Sequence, residues 1–183
     1  INSAKRTDWF ITNAQEIVGR IKQAYHPSKP ITVINPPVKC KNFYVSNSLS
    51  DYYLVVSRFE TYKKVDLVIE AFNEMPDKKL VIFGKGSREK EIKRIAGGNI
   101  TFLSNLGVDD LARLYANCKA LIFPQHEDYG ITPLEANSSG RHVIDYGKGS
   151  VLDTMIPSDT DSLKSTALFF SSDAHTSELK SLA

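Results

Sequence analysis

Short apolar runs alternate along the chain with segments whose apolar residues recur every three or four positions. The runs have the length and composition of β-strands, and the three-to-four spacing is typical of amphipathic helices. The predicted strands are Phe10–Thr12, Ile31–Ile34, Tyr52–Val56, Leu80–Phe83, Ile100–Leu103, Ala120–Phe123, His142–Asp145 and Leu168–Phe170. The predicted helices are Ala14–Tyr25, Val65–Phe72, Arg88–Ala96 and Asp109–Asn117.

This alternation indicates the fold class. Tyr52–Val56 and Ala120–Phe123 are apolar throughout, as strands are when helices cover both faces of a sheet. Strands and helices that alternate over the whole chain favour an α/β, Rossmann-like, doubly wound parallel sheet. The 183 residues are enough for one domain, and we therefore predict a single domain over residues 1–183.

Composition and charge narrow the function classes. Lys and Arg total 23 and Asp and Glu total 21, and a net charge of +2 is too small to predict nucleic-acid binding. No apolar run approaches the roughly 18 residues that a membrane span needs. The two cysteines, Cys40 and Cys118, lie far apart and lack metal-ligand spacing, which favours a reducing compartment. We expect a cytoplasmic protein without a bound metal.

The candidate site lies in loops, because ligands of doubly wound sheets bind at the carboxyl ends of the strands. The loops concerned follow Val56, Phe83, Phe123 and Asp145. In the first of them, Arg58 and Lys63 lead directly into the helix that begins at Val65. Two cations beside a helix N-terminus can neutralise a diphosphate without a metal. A solvated basic turn fits the same residues.

Two glycine-rich loops leave alternatives open. Gly84-Lys85-Gly86 follows a strand, and its glycines permit close approach of the backbone to a ligand, but by itself the segment favours a tight strand-to-helix turn. The 146–150 loop contains Gly147 and Gly149, which suit contact with an anion or a sugar, or an ordinary flexible turn.

The loop after Phe123 has the most specific pattern. Glu127 and Glu135 are eight residues apart with Gly130 between them. We expect Glu127 in the loop and Glu135 in the first turn of a helix, so that the two carboxylates accept hydrogen bonds from different parts of one ligand. The main-chain N–H groups of Tyr129, Gly130 and Ile131 are placed to bind a phosphate between them.

The same loop also has a purely structural interpretation. Thr132-Pro133-Leu134-Glu135 is a capping-box pattern, with Thr132 at the N-cap and Glu135 at the third helical position. In that interpretation Glu135 closes its own helix, and Glu127 and Asp128 only favour the helix dipole. His126 is interpreted as a polar loop residue rather than a base.

Four parts of the sequence together resemble one family. They are the entry segment Asp8–Ala14 with Val18–Tyr25, then Val33–Val38 ("VI-x-PPV"), Ser57–Asp66 ("GR-xxx-YKR-VD") and Phe123–Ala136 ("FP-xx-EDFGI-xPxEA"). The last is the most specific, because it contains both glutamates. Over nearly its whole length the chain resembles the C-terminal, donor-binding domain of retaining glycosyltransferases of family 4, or group 1, which have the GT-B fold.

The resemblance implies a reaction and its residues. Arg58 and Lys63 would hold the diphosphate of a nucleotide-sugar, and Glu127 would contact the hydroxyls of its sugar. A hexosyl group would pass with retention to an acceptor hydroxyl, without a metal or other cofactor, in polysaccharide or glycolipid synthesis. The remaining donor contacts would come from Gly84, Lys85, Asp128, Tyr129, Gly130, Ile131 and Glu135. Of these, Glu135 would bind the ribose, residues 84–85 the base or ribose, and the 128–131 backbone the distal phosphate and sugar.

The chain departs from the family pattern from its seventh predicted strand onward. His142, Asp145, Ser150 and Asp153 stand where the family usually has Pro, a small residue, Gly and Glu. An N-terminal acceptor domain, which GT-B enzymes need, is expected in cis outside these residues, so we predict weak donor binding and no turnover by the chain alone. The acceptor is expected to be a glycan or lipid-linked glycan, with peripheral association at the inner face of a membrane. The alternatives are a non-catalytic nucleotide-sugar-binding module and another GT-B enzyme such as a nucleotide-sugar epimerase.

Overall fold

The computed structural model describes residues 4–158, 164–171 and 176–183. Its strands are β1 Phe10–Thr12, β2 Ile31–Val33, β3 Tyr53–Val56, β4 Leu80–Phe83, β5 Ile100–Leu103, β6 Ala120–Phe123, β7 His142–Tyr146 and β8 Ala167–Phe170. Its α-helices are α1 Gln15–Tyr25, α2 Val65–Asn73, α3 Glu89–Ile95, α4 Val108–Asn117, α5 Ile131–Ser138, α6 Val151–Thr154 and α7 Thr176–Leu182. The eight predicted strands and four predicted helices are confirmed to within one residue at each end.

Six of the strands form one parallel sheet in the order β5-β4-β3-β6-β7-β8. The chain runs outward from β3 to β5 and then returns to the other side of β3 to start β6. The strand order therefore reverses between β3 and β6, which is where a doubly wound sheet opens a crevice for a ligand. The predicted Rossmann-like α/β class is confirmed.

The first two strands do not join this sheet, contrary to the expectation of one sheet over the whole chain. β1 and β2 pair with each other in parallel as a separate two-stranded sheet connected by α1. After β2 come Pro36 and Pro37, which have no N–H to donate to a continuing strand. The chain then crosses to β3 through an irregular segment with a single 3-10 turn at Cys40–Asn42.

Apolar side chains cover both faces of the main sheet. On one face, Val55 and Ile82 pack with Phe72 of α2 and Ile92 of α3. On the other, Leu54, Leu121 and Phe123 pack with Tyr115 of α4 and Ala136 of α5. Neighbouring residues of β3 thus enter opposite layers, which explains why the strand is apolar throughout.

Among the described residues, no helix combines the length and apolar character needed to cross a bilayer.

A carboxyl group lies in this core at Asp145. Asp145 of β7 is completely buried, in register with Phe123 and Phe169, and neither of its carboxylate oxygens has a hydrogen-bond partner in the described part of the chain. Burial raises the pKa of Asp145 to about 9, and the neighbouring backbone N–H of Tyr146 offsets only part of that rise. The carboxyl group is therefore neutral at pH 7.

Candidate functional site

A cavity of about 460 Å³ opens at the carboxyl edge of the sheet, beside the point where the strand order reverses. Loops after four strands contribute to it, namely those that follow β3, β4, β5 and β6. The lining residues are Val56, Ser57, Arg58, Lys63, Phe83, Gly84, Lys85, Ser104, Asn105, Gln125 and Thr132. Arg58, Lys63, Gly84 and Lys85, which the sequence predicts for the site, are thus brought together around one space.

The loop after β3 has a defined shape. Thr61–Lys63 forms one turn of 3-10 helix, and Lys64 adopts the left-handed conformation (φ 53°) that redirects the chain into α2. The Glu60 carboxylate accepts hydrogen bonds from the Ser87 N–H at 3.1 Å and from its hydroxyl at 2.7 Å. These bonds lower the pKa of Glu60 and connect the loop after β3 with the loop after β4.

The glycines after β4 make room for protein backbone. A Cβ on Gly84 would lie 1.8 Å from the Ser57 carbonyl oxygen, and one on Gly86 would lie 2.5 Å from the Phe59 nitrogen. The same two segments are joined by hydrogen bonds from Phe59 N–H to Lys85 O and from Arg88 N–H to Phe59 O. Of the alternatives drawn from the sequence, the tight turn is confirmed for Gly86. Gly84 combines that packing with a place on the cavity wall.

Lys63 and Glu127 meet at the site. The Lys63 ammonium donates to Glu127 Oε1, and both side chains are largely shielded, with 12% and 22% exposed. The contact joins the loop after β3 to the loop after β6 across the reversal of strand order. A pair this shielded is screened by solvent much less than a surface pair. The sequence predicts both residues for the site, and the fold brings them into direct contact.

The α5 helix begins at Ile131, and Gly130 is its N-cap with a φ of 77°. The capping-box interpretation is therefore wrong, because Thr132 lies inside the helix and the N-cap residue is Gly130, which has no side chain to cap it. Glu135 does not reach back to the N-cap. Its Oε2 accepts a hydrogen bond of 2.8 Å from the Tyr115 hydroxyl, and burial raises the pKa of both groups. With no cap, the first N–H groups of α5 lack intrahelical acceptors.

The side chains of the residues that flank Glu127 contact residues from the N-terminal part of the chain. The Asp128 carboxylate pairs with Arg20 at 2.9 Å, and the Tyr129 hydroxyl donates to the Pro36 carbonyl at 3.2 Å. Six of the predicted site residues do not line the cavity, namely Glu127, Asp128, Tyr129, Gly130, Ile131 and Glu135. His126 lies 3.3 Å from Glu16, as a polar loop residue would.

The loop after β7 makes hydrogen bonds to the backbone of Glu127 and does not line the cavity. Ser150 directs both its N–H and its hydroxyl to the Glu127 carbonyl, at 3.3 and 3.1 Å. Gly149 (φ 84°) has no room for a Cβ, which would lie 2.4 Å from the His126 ring. The Asp153 carboxylate accepts from the Gln15 N–H at 2.9 Å. Ser150 and Asp153, two of the departures from the family pattern, thus have structural partners.

Sequence reasoning did not identify five polar lining residues: Ser57, Ser104, Asn105, Gln125 and Thr132. Two of them, Ser104 and Asn105, follow β5, and the rule of the carboxyl strand ends would have found them if the loop after β5 had been included. Asn105 is left-handed, with a φ of 58°. Gln125 and Ser57 lie 3.3 Å apart, hydroxyl to amide oxygen, across the reversal point. No three His, Cys, Asp or Glu side chains cluster as a metal site would in the described ranges.

Comparison with known proteins gives consistent results. The sequence model of the family described as "Glycosyl transferases group 1" matches residues 41–169. O-antigen chain mannosyltransferase C of Escherichia coli is 32% identical over 101 residues, which cover 51% of this chain and 27% of that protein. O-antigen chain mannosyltransferase RfbU of Salmonella typhimurium is 25% identical over 151 residues, which cover 78% of this chain and 43% of that protein. The chain thus spans less than half the length of these curated relatives.

Solved structures share the fold. HepE of Anabaena, in complex with UDP and glucose, aligns with a TM-score of 0.81 over 100% of this chain and 54% of its own, at 17% identity. At that identity the likeness concerns the fold alone. The family match begins after β2, so the separate two-stranded sheet lies outside it.

Proposed function

Since the chain belongs to the glycosyl transferases group 1 family, we propose that its cavity binds a nucleotide-diphosphate sugar, the donor of a hexosyl transfer. The observation that carries the proposal is the meeting of Arg58 and Lys63 in one cavity, with Glu127 in contact with Lys63. Two cations offer a diphosphate its counter-charge, and a carboxylate next to them offers an acceptor for sugar hydroxyls.

In this proposal Lys63 serves both parts of the donor. An ammonium group has three N–H donors, so Lys63 can keep its hydrogen bond to Glu127 while it donates to a phosphate oxygen. The contact would then place the sugar-binding carboxylate next to the diphosphate. Arg58 would add a planar fork suited to a second phosphate oxygen.

The proposal assigns the remaining contacts with the donor to α5 and to the loops that precede it. The uncapped start of α5 would present the backbone of Asp128, Tyr129, Gly130 and Ile131 to the distal phosphate and sugar. Gly84 and Lys85, on the cavity wall, would lie near the base or ribose. We assign the ribose hydroxyls to Glu135, whose carboxylate would exchange its bond from Tyr115 for bonds from the ligand.

The proposed reaction retains the anomeric configuration. The bond from the anomeric carbon to the diphosphate oxygen breaks, and the acceptor oxygen bonds to that carbon from the same face. The acceptor proton passes to the departing phosphate. Negative charge collects on the leaving diphosphate, and Arg58 and Lys63 stabilise it there without a metal.

An acceptor domain in cis completes the proposal. Trp9, Ile11 and Ile34 in and beside the small sheet are more than half exposed, as apolar side chains are where a further layer packs. We propose that this domain carries the acceptor site, so that the 183 residues alone bind donor weakly without turning it over. A glycan or lipid-linked glycan acceptor, and work in the cytoplasm at the inner face of a membrane, belong to the same proposal.

Lys63→Ala is expected to weaken the binding of a nucleotide-diphosphate sugar by about 10- to 100-fold, because a charge-assisted hydrogen bond is lost. Isothermal titration with UDP-, GDP- and ADP-sugars measures the effect. Binding of the matching nucleoside, which has no phosphate, should hardly change.

Glu127→Ala should weaken binding of the nucleotide-sugar more than that of the free nucleoside diphosphate, since only the former has the sugar whose hydroxyls Glu127 is proposed to bind.

Lys90→Ala is the matched control, since Lys90 is an exposed lysine of α3 outside the cavity. Its affinities should equal those of the wild type. Equal affinity of the wild type, Lys63→Ala and Glu127→Ala for every sugar nucleotide would refute the proposed site. Sugar transfer by these 183 residues without any added protein would refute the need for an acceptor domain.

A further inference from the structure

We propose that Tyr62 is a positioning residue of the donor site, which holds Arg58 and Lys63 at the separation that a diphosphate requires. The inference rests on the proposed function of the cavity. Tyr62 does not line the cavity itself. It lies between the two cations, both in sequence and in space.

Tyr62 contacts each cation through a different part of its side chain. Its hydroxyl oxygen accepts a hydrogen bond of 2.7 Å from the Arg58 guanidinium. Its ring centroid lies 5.0 Å from the Lys63 ammonium nitrogen, within the roughly 6 Å over which the face of an aromatic ring attracts a cation. One neutral residue thus contacts both groups proposed to bind the diphosphate.

The two cations need such a residue. Like charges in one cavity repel each other, and both side chains are long and lose rotamer freedom when they are held in place. Lys63 also contacts Glu127, whereas Arg58 is an exposed residue at the rim. A second carboxylate could hold Arg58, but its charge would repel a diphosphate. A phenol oxygen and an aromatic face attract cations without adding a negative charge.

The backbone under Tyr62 is well anchored. Tyr62 is the middle residue of the Thr61–Lys63 turn, and the Lys63 N–H closes that turn on the Glu60 carbonyl at 3.0 Å. The Glu60 side chain in turn binds Ser87 of the next loop. Tyr62 is 52% exposed, so packing in the core does not account for its position. Its contacts are those expected of a residue that organises the two cations.

The test compares affinities for nucleoside diphosphates and monophosphates. Tyr62→Phe removes the acceptor for Arg58 but keeps the ring beneath Lys63, and Tyr62→Leu removes both. We expect Tyr62→Phe to weaken binding of UDP, GDP or ADP by about three- to tenfold and Tyr62→Leu by about tenfold or more. Binding of the corresponding monophosphate should change less than about twofold, because one phosphate engages fewer of these contacts.

A double-mutant cycle separates positioning from general loss of structure. If the Tyr62 hydroxyl acts through Arg58, Tyr62→Phe has no further effect in an Arg58→Ala background. Tyr44→Phe serves as control, since Tyr44 is 48% exposed and lies outside the cavity. An unchanged diphosphate affinity in both Tyr62 variants overturns the inference, and so does an equal loss with monophosphates or an equal loss in the Arg58→Ala background.

The outcomes also separate this inference from the proposed function. Diphosphate binding that is lost in Lys63→Ala but unaffected in both Tyr62 variants refutes the positioning role alone. A wild type that binds none of the three nucleoside diphosphates refutes the donor site, and the role of Tyr62 with it.

Discussion

In the wild type, the free energy of unfolding is expected to fall by about 3 kcal/mol between pH 5 and pH 7, and Asp145→Asn is expected to abolish this fall. Burial raises the pKa of Asp145 from its ordinary value of 3.8 to about 9 in the folded protein. Between these two values the folded carboxyl keeps its proton and the unfolded one has lost it. The folded state therefore binds more protons, and the free energy of unfolding falls by about 1.4 kcal/mol per pH unit as the pH rises.

Asn has the size of Asp and stays neutral at every pH, so Asp145→Asn should lack this slope. Urea unfolding at pH 5, 6 and 7 measures the free energy of unfolding of both proteins, and their difference isolates the one group that differs. Asp77→Asn is the control, because Asp77 lies on the surface. Parallel pH dependences for the wild type and Asp145→Asn would show that Asp145 is not buried in its neutral form.

Gly84→Ala is expected to destabilise the protein by about 3 kcal/mol or more and to abolish nucleotide binding. The φ of 154° at Gly84 is one that residues with a Cβ rarely adopt, and the added atom would lie 1.8 Å from the Ser57 carbonyl oxygen. Since that oxygen belongs to backbone, relief requires the loops after β3 and β4 to separate. Those two loops form much of the cavity wall.

Gly98→Ala is a matched control, because apart from its chain neighbours no residue that the structure describes has an atom within 4 Å of a Cβ added there. The free energy of unfolding from denaturant titration and the affinity for nucleoside diphosphates are measured for both variants. Gly84→Ala with the stability and affinity of Gly98→Ala would contradict the close approach of the two loops.

The main elements of the fold could be predicted from the sequence because their signals are local. β4 and β6 are continuous apolar runs, β5 is interrupted only by Thr101, and the bounds of all three equal the predicted ones. α5 was harder to predict. Thr132-Pro133 is a frequent helix start, but the positive φ of Gly130 lets the helix begin two residues earlier, with Gly130 instead of Thr132 at the N-cap. Pairing of strands is not local, so the separation of β1 and β2 from the main sheet could not be predicted.

The candidate site could be predicted only in part, because contacts between distant segments leave no local signal in the sequence. Arg58, Lys63 and Glu127 follow strands and have side chains suited to diphosphates and hydroxyls. Their neighbours Asp128 and Tyr129 belong to the same motif, yet their side chains turn to Arg20 and Pro36. Whether a loop side chain reaches a cavity depends on which distant segment lies next to it.

By itself the sequence determined the α/β class, the bounds of most elements, the family and the residues able to neutralise a diphosphate. These properties follow from periodicity and motif spacing, which depend only on residues that are near each other in the chain. Only the tertiary structure decided that Lys63 contacts Glu127, that Tyr62 links Arg58 to Lys63 in space and that Asp145 is buried without a partner. These relations depend on which strands pair and on how closely their loops approach each other. Both follow from packing between residues that are far apart in the chain.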